Sequence, residues 1–157
     1  MDMTALARTL LEPVPAHRTA GIKVLRAADC AAEVALETPQ ALTNVIGSLH
    51  SGGLITLVDA VGLGAIIAAS SGDGDFQGVV PLGRAASLEF LAPARGRLVA
   101  ACRLGDEARH TLLPLLSGRT DRARSATHAE VTDAAGTVVC RGSFDWSVRR
   151  TTPSGVV

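Results

Sequence analysis

The sixteen residues from Leu54 to Ala69 form the longest apolar stretch of the chain, broken by a single charge at Asp59. Apolar side chains fall on every side of the helix such a run would form, so the pattern predicts a central helix enclosed by other elements rather than one floating on a surface. Before it, Ile22 and Val24 alternate with Lys23 and Leu25, and Val34 and Leu36 alternate with Glu33 and Glu37. These are strand patterns over Gly21 to Arg26 and Ala31 to Glu37, and Ala27-Ala28-Asp29-Cys30 joins them as a hairpin. Thr4 to Leu11 has helical spacing that Pro13 and Pro15 bring to an end. Pro39 closes the second strand, and Gln40 to Leu49 reads as a loop leading to a helix that opens near Ser51.

Downstream, Ser70-Ser71-Gly72-Asp73-Gly74-Asp75 marks an exposed loop. Strands follow over Gly83 to Leu91 and Arg97 to Leu104, with Pro93-Ala94-Arg95-Gly96 as the turn between them. Ser125 to Thr132 and Thr137 to Val148 then pair as a second hairpin through Asp133-Ala134-Ala135-Gly136. Asp106 to Leu116 has helical spacing at Ala108, Leu112, Leu115 and Leu116 but contains Pro114, so it reads as a short helix or a structured loop. The order gives an α+β fold: a long central helix wrapped by a strongly curved antiparallel β-sheet, with a second subunit against the face that remains. The chain divides into an N-terminal helix and linker at 1–19, one domain at 20–148 and a C-terminal tail at 149–157. At 157 residues a single domain is the default.

Composition narrows the function. Fifteen basic residues, all Arg except Lys23, balance fifteen acids to a net charge of zero, which disfavours nucleic acid as a partner. Aromatic content is 3%, with no Tyr, which removes the stacking platforms used by single-strand binders. Cys30, Cys102 and Cys140 are an odd number without Cys-x-x-Cys spacing, against a disulfide framework or a structural zinc site and in favour of a cytoplasmic location. The N-terminus lacks the layout of a secretory signal, and the 54–69 run is too short for a membrane span, so no membrane partner is expected.

Candidate chemistry concentrates around Asp59. A carboxylate within a buried helix is costly unless it is paired or working, and we read Asp59 as a catalytic carboxylate. The plainer alternative is a structural acid that hydrogen-bonds a loop across the core. His50 can equally be a residue bonded to backbone ahead of the helix, and Asn44 a turn former. His17, His110 and His128 have no partners at ligand spacing and read as ordinary surface or edge residues. Asp73 and Asp75 supply two ligands of a calcium loop but lack its later acid, which leaves a solvated loop. No Gly-x-Ser-x-Gly elbow is present.

The stretch Asn44 to Gly64 resembles the active-site segment of the PaaI-like acyl-CoA thioesterases of the hotdog superfamily. The shared elements are an Asn six residues before a His, small residues after that His opening the central helix, and an acid nine residues beyond it: Asn44, His50, Ser51, Gly52 and Asp59. Ser87 to Gly96 is similar to the family's strand, proline and turn, and Val138 to Trp146 to its final strand, so the resemblance spans roughly residues 20–148. Two positions depart. Ser51 stands where the family usually has Gly, and the hydroxyl that many relatives offer falls near Gly83. The 70–82 and 105–124 segments are also longer than the family's usual connections.

The resemblance implies hydrolysis of an acyl-CoA or acyl-carrier thioester to acid and thiol, without a cofactor beyond the coenzyme A of the substrate and without a metal. Asp59 would activate a water or attack the carbonyl carbon itself. The Ser51 N–H, at the positive end of the helix dipole and beside Gly52, would meet the oxyanion. Asn44 would position the water or the carboxylate, and His50 would hold the loop or polarise the carbonyl. Leu54, Val58, Val61 and Phe90 would wall the acyl slot, with Gly83 and Arg84 beside it. Arg84, Arg95, Arg97, Arg119, Arg122 and Arg124 are candidates for the coenzyme phosphates. Hotdog proteins assemble as dimers or dimers of dimers, the acid of one subunit facing the Asn, His and N–H of its neighbour. The competing reading is a hotdog protein that binds an acyl thioester or lipid without catalysis.

Overall fold

A computed structural model describes residues 1–151. Two short helices, α1 (Thr4–Leu11) and α2 (Pro15–Ala20), precede strands β1 (Lys23–Ala28) and β2 (Ala31–Glu37). The long helix α3 (Ser51–Ile67) follows, then β3 (Val79–Phe90), β4 (Arg97–Arg103), α4 (Asp106–Leu116), β5 (Arg122–Thr132) and β6 (Val138–Arg150). The six strands form one antiparallel sheet in the order β1-β2-β4-β5-β6-β3.

The α+β plan and the curved antiparallel sheet around a central helix are as the pattern requires. α3 touches all six strands, and α1 and α2 pack against it as well. Its apolar circumference is therefore used: Leu54, Leu57, Val58, Val61, Ala65 and Ile66 are all buried. One stripe stays open, with Ser51, Gly52 and Ile55 exposed and Thr56, Asp59 and Leu63 partly so, at the three- and four-residue spacing of a single helix face. Glycine lets the sheet approach. A Cβ at Gly62 would lie 2.6 Å from Thr127 Oγ1, a hydroxyl that accepts from Trp146 Nε1 at 2.8 Å.

Several boundaries move. The N-terminal segment forms two helices rather than one and a linker. The first hairpin turns on Asp29 and Cys30, with φ 54° and 60°, a two-residue connection whose twist suits the flanking strands but is unusual without glycine. Tertiary bonds fix it: the Cys30 N–H donates to Ala68 O at the end of α3, and the Leu104 N–H donates to Cys30 O. Pro114 is accommodated in the last turns of α4, where the loss of one amide bond is outweighed by the burial of Leu112, Leu115 and Leu116. β6 runs two residues beyond Val148, into the stretch read as a tail, because Arg150 is anchored. Its guanidinium donates to Asp75 O, Gln77 O, Leu115 O and Leu116 O, tying the 70–78 loop to the end of α4. The remainder of that tail, 152–157, lies outside the described residues.

All three cysteines are free. Burial pushes the Cys102 thiol up to about 11 and raises that of Cys140, which keeps both unreactive. Among the described residues, no helix is long and apolar enough to cross a membrane.

In an exposed helix Gly62→Ala would gain about 1 kcal/mol of propensity. Here the added methyl meets a hydroxyl held by Trp146, and overpacking of about 1–3 kcal/mol should win. A lower urea midpoint for Gly62→Ala than for wild type, with an unchanged slope, is the expected result.

Candidate active site

The loop before α3 is built from its own side chains. Asn44 Oδ1 accepts from the Ile46 and Ser48 N–H groups, closing a tight turn and leaving its amide nitrogen free. Ser48, buried, accepts from the Ala94 N–H at 2.8 Å and donates to Ala94 O at 3.3 Å. The Leu49 N–H also donates to Ala94 O, the His50 N–H donates to Leu42 O, and Arg95 donates to Ile46 O. The loop is thus strapped to the turn that follows β3, and the start of α3 cannot drift.

His50 is the N-cap of α3, its Nδ1 accepting from the Gly52 N–H at 3.0 Å. An accepting Nδ1 carries no hydrogen, so the partner assigns the ring hydrogen to Nε2, a donor on an exposed side chain. Gly52 is taken by His50 Nδ1, and Gly53 and Leu54 both donate to His50 O. Among the described residues, the Ser51 N–H has no acceptor, and it lies at the positive end of the helix. Replacing Gly by Ser costs this donor nothing, since it is a backbone group on a residue in helical conformation.

Asp59 departs from expectation. Its carboxyl is 28% exposed, on the open stripe of α3, and it is paired: Oδ2 lies 3.0 Å from His17 Nε2. His17, read from sequence as a surface or edge residue, is 2% exposed on α2 and bonds Leu11 O through Nδ1 at 2.8 Å. This correction has a physical cause. Pro15 starts a second helix that lays residue 17 against α3, and nothing in a 42-residue separation signals that contact. Asp59 also lies eight residues along the helix from Ser51, about 12 Å of axial rise, too far for both to act on one carbonyl within one chain.

The remaining candidates divide. A groove of about 510 Å³ is lined by Asn44, Ile46, His50, Ser51, Leu54 and Phe90, among others, and does not include Asp59. Phe90 is 55% exposed there. Val58 and Val61 are wholly buried in the core, so in this chain they wall no groove. Gly83 sits at a bulge in β3, its missing side chain facing Phe144, and Arg84 lines a different cleft of about 420 Å³ with Arg124, His128, Asp145 and the start of α4. Arg95 is used by the loop, Arg97 faces Glu37, Arg119 bonds Ser117 Oγ, and Arg122 is exposed at the start of β5. His110 and His128 are exposed, as expected. Asp73 and Asp75 lie in a 3-10 turn, where Asp75 caps the Ser71 N–H. Among the described residues no group of three or more His, Cys, Asp or Glu could hold a metal ion.

An antiparallel sheet curved around one long helix is the hotdog fold. The chain belongs to the family described as "Domain of unknown function (DUF4442)", which it matches over residues 4–148. Among solved structures it is similar to a Pseudomonas aeruginosa protein described as a probable thioesterase, with a TM-score of 0.75 at 23% identity over 94% of this chain and 96% of that one. It is similar as well to the Escherichia coli PaaI protein from the phenylacetic acid degradation operon, with a TM-score of 0.66 at 16% identity over 92% and 94%. A Streptococcus pneumoniae protein described as a hypothetical thioesterase, solved with coenzyme A, gives a TM-score of 0.60 at 17% identity over 83% and 88%. At these identities the likeness is one of fold. None of the curated proteins matches the chain in sequence.

Ser48→Ala should leave the Ala94 N–H without its acceptor and cost about 1–3 kcal/mol. Amide hydrogen exchange across residues 43–50 should quicken relative to β5 and β6; equal protection in variant and wild type would show that the strap does not hold the loop.

Proposed function

We propose that the chain hydrolyses acyl thioesters, coenzyme A or a carrier being the leaving thiol. The observation that carries this reading is the unpartnered Ser51 N–H at the mouth of an apolar-lined groove, with Asp59 on the open face of the same helix. Asp59 takes a proton from water as the water oxygen attacks the thioester carbon, or attacks that carbon itself to form a mixed anhydride that water then hydrolyses, giving back the carboxylate and supplying the proton of the thiol. The Ser51 N–H receives the oxyanion, the C–S bond breaks, and the thiol leaves with a proton. His50 Nε2–H and the free amide of Asn44 are further donors at the groove. The coenzyme A held by the Streptococcus pneumoniae relative supports that class of leaving group.

The axial distance between Asp59 and Ser51 supports a working site composed of two chains. Two features support self-association. Among the described residues β3 bonds β6 on one side only and leaves a twelve-residue open edge, which proteins in water seldom leave uncovered. Val45, Ile46, Ile55, Leu82, Phe90 and Leu91 are exposed apolar residues on the loop, the helix stripe and that strand. A second subunit paired along β3 would cover them and bring its helix start toward Asp59.

Three measurements test this. Free-thiol release from acetyl-, hexanoyl- and benzoyl-CoA should fall about 10²–10⁴-fold in Asp59→Asn. No release by wild type from any of them would favour the binding-only reading, to which the missing hydroxyl at Gly83 lends weight. Ser51→Pro deletes the donor at a position that tolerates proline, the first residue of the helix, with His50 already extended at ψ 150°. It should cost about 10²–10³-fold. Mixed in equal amounts and reassembled, Asp59→Asn and Ser51→Pro chains should recover about a quarter of the wild-type rate, since half the dimers carry one intact site of two. No recovery would mean that each site is built within one chain.

A further inference from the structure

We propose that His17 is a positioning residue for Asp59, an imidazole carrying a hydrogen on each ring nitrogen that clamps one carboxylate oxygen and leaves the other to act. The proposal rests on the reading of Asp59 as the base. Its own ground is a hydrogen-bond count. Leu11 O can only accept, so the 2.8 Å contact places a hydrogen on Nδ1. A neutral ring would then present a bare lone pair at Nε2 to Asp59 Oδ2, 3.0 Å away, and two acceptors do not bond. The contact is a hydrogen bond only with a second hydrogen between them. The surroundings assign it to the ring: Nδ1 faces the carbonyl end of α1, Nε2 faces a carboxyl that is partly open to water, and both neighbours favour a cation between them.

The histidine is itself held. Pro15 starts α2 and Gly21, at φ 71°, ends it, with the Ile22 N–H donating to His17 O. The side chain is 3% exposed, so water does not compete for either ring nitrogen. Asp59 Oδ1 has no partner among the described residues. With Oδ2 clamped, Oδ1 is the oxygen left to take the proton of the attacking water, and rotation about the Cβ–Cγ bond no longer exchanges the two.

The first test needs no substrate. In 15N-labelled wild-type protein, His17 should give two slowly exchanging imidazole N–H signals, and Asp59→Asn should keep only that of Nδ1, because the asparagine amide then donates to Nε2. A single N–H on wild-type His17, with Nε2 bare, overturns the proposal whatever the protein's activity. The second test is kinetic, with hexanoyl-CoA. His17→Ala should lower kcat about 10²-fold, the cost of a misplaced catalytic group, with KM within about twofold of wild type. His17→Gln, whose amide can still donate to Oδ2, should recover part of the loss. Equal kcat in the three proteins, or losses that simply follow the fall in Tm, would overturn it. Absence of thiol release from wild type would instead count against the thioesterase reading, and the imidazole signals would still decide the state of the pair.

Discussion

A helix that is apolar on nearly every side must be enclosed, and the rest of this molecule is arranged to enclose α3. Six strands curve along it, and α1 and α2 lie on part of what the sheet leaves bare. Glycines at 62, 64 and 142 let backbone and side chains meet at distances that a methyl group would not allow. The covering is incomplete along one stripe, and that stripe carries Asp59. The acid is therefore at the one place on a core helix where a carboxylate can keep contact with water, and the desolvation cost that makes buried carboxylates rare is reduced rather than borne in full.

The same helix positions the candidate groups by its start and its side. Its start is capped by His50, and the cap and the first helical turn consume every early amide except that of Ser51. The acid sits two turns further on, so one helix carries a partly exposed carboxylate and an unpaired N–H about 12 Å apart. A pair of chains with helices side by side can bring unlike positions together, which one chain cannot. The open strand edge and the exposed apolar loop before α3 suit that arrangement, and within a lone chain they would be liabilities.

The segments 70–82 and 105–124 are not loose. Arg150 draws four carbonyls from both of them onto one guanidinium. That gathers the end of α4 and the 70–78 loop at the far end of β6.

The chain's own pattern was sufficient for the central helix, the two hairpins β1–β2 and β5–β6, the α+β class and the spacing of Asn44, His50, Ser51 and Asp59, because these depend on periodicity and on neighbours within a turn or a hairpin; β3 and β4, read as neighbours through the 93–96 turn, instead pair with β6 and with β2 and β5. Periodicity also explains the near misses. Ends of strands such as Arg150 are set by distant carbonyls, and the Asp29-Cys30 turn is held by the end of α3, neither of which has a local signature. What sequence could not supply was the partner of the acid. His17 and Asp59 are 42 residues apart, and their meeting depends on how a six-residue helix after two prolines packs on α3. It could not supply the isolation of the Ser51 N–H either, since an amide is left over only when every neighbouring donor has been assigned. Local order is written in local sequence; which groups are left unpaired, and which pair across the fold, is decided only when the chain has closed on itself.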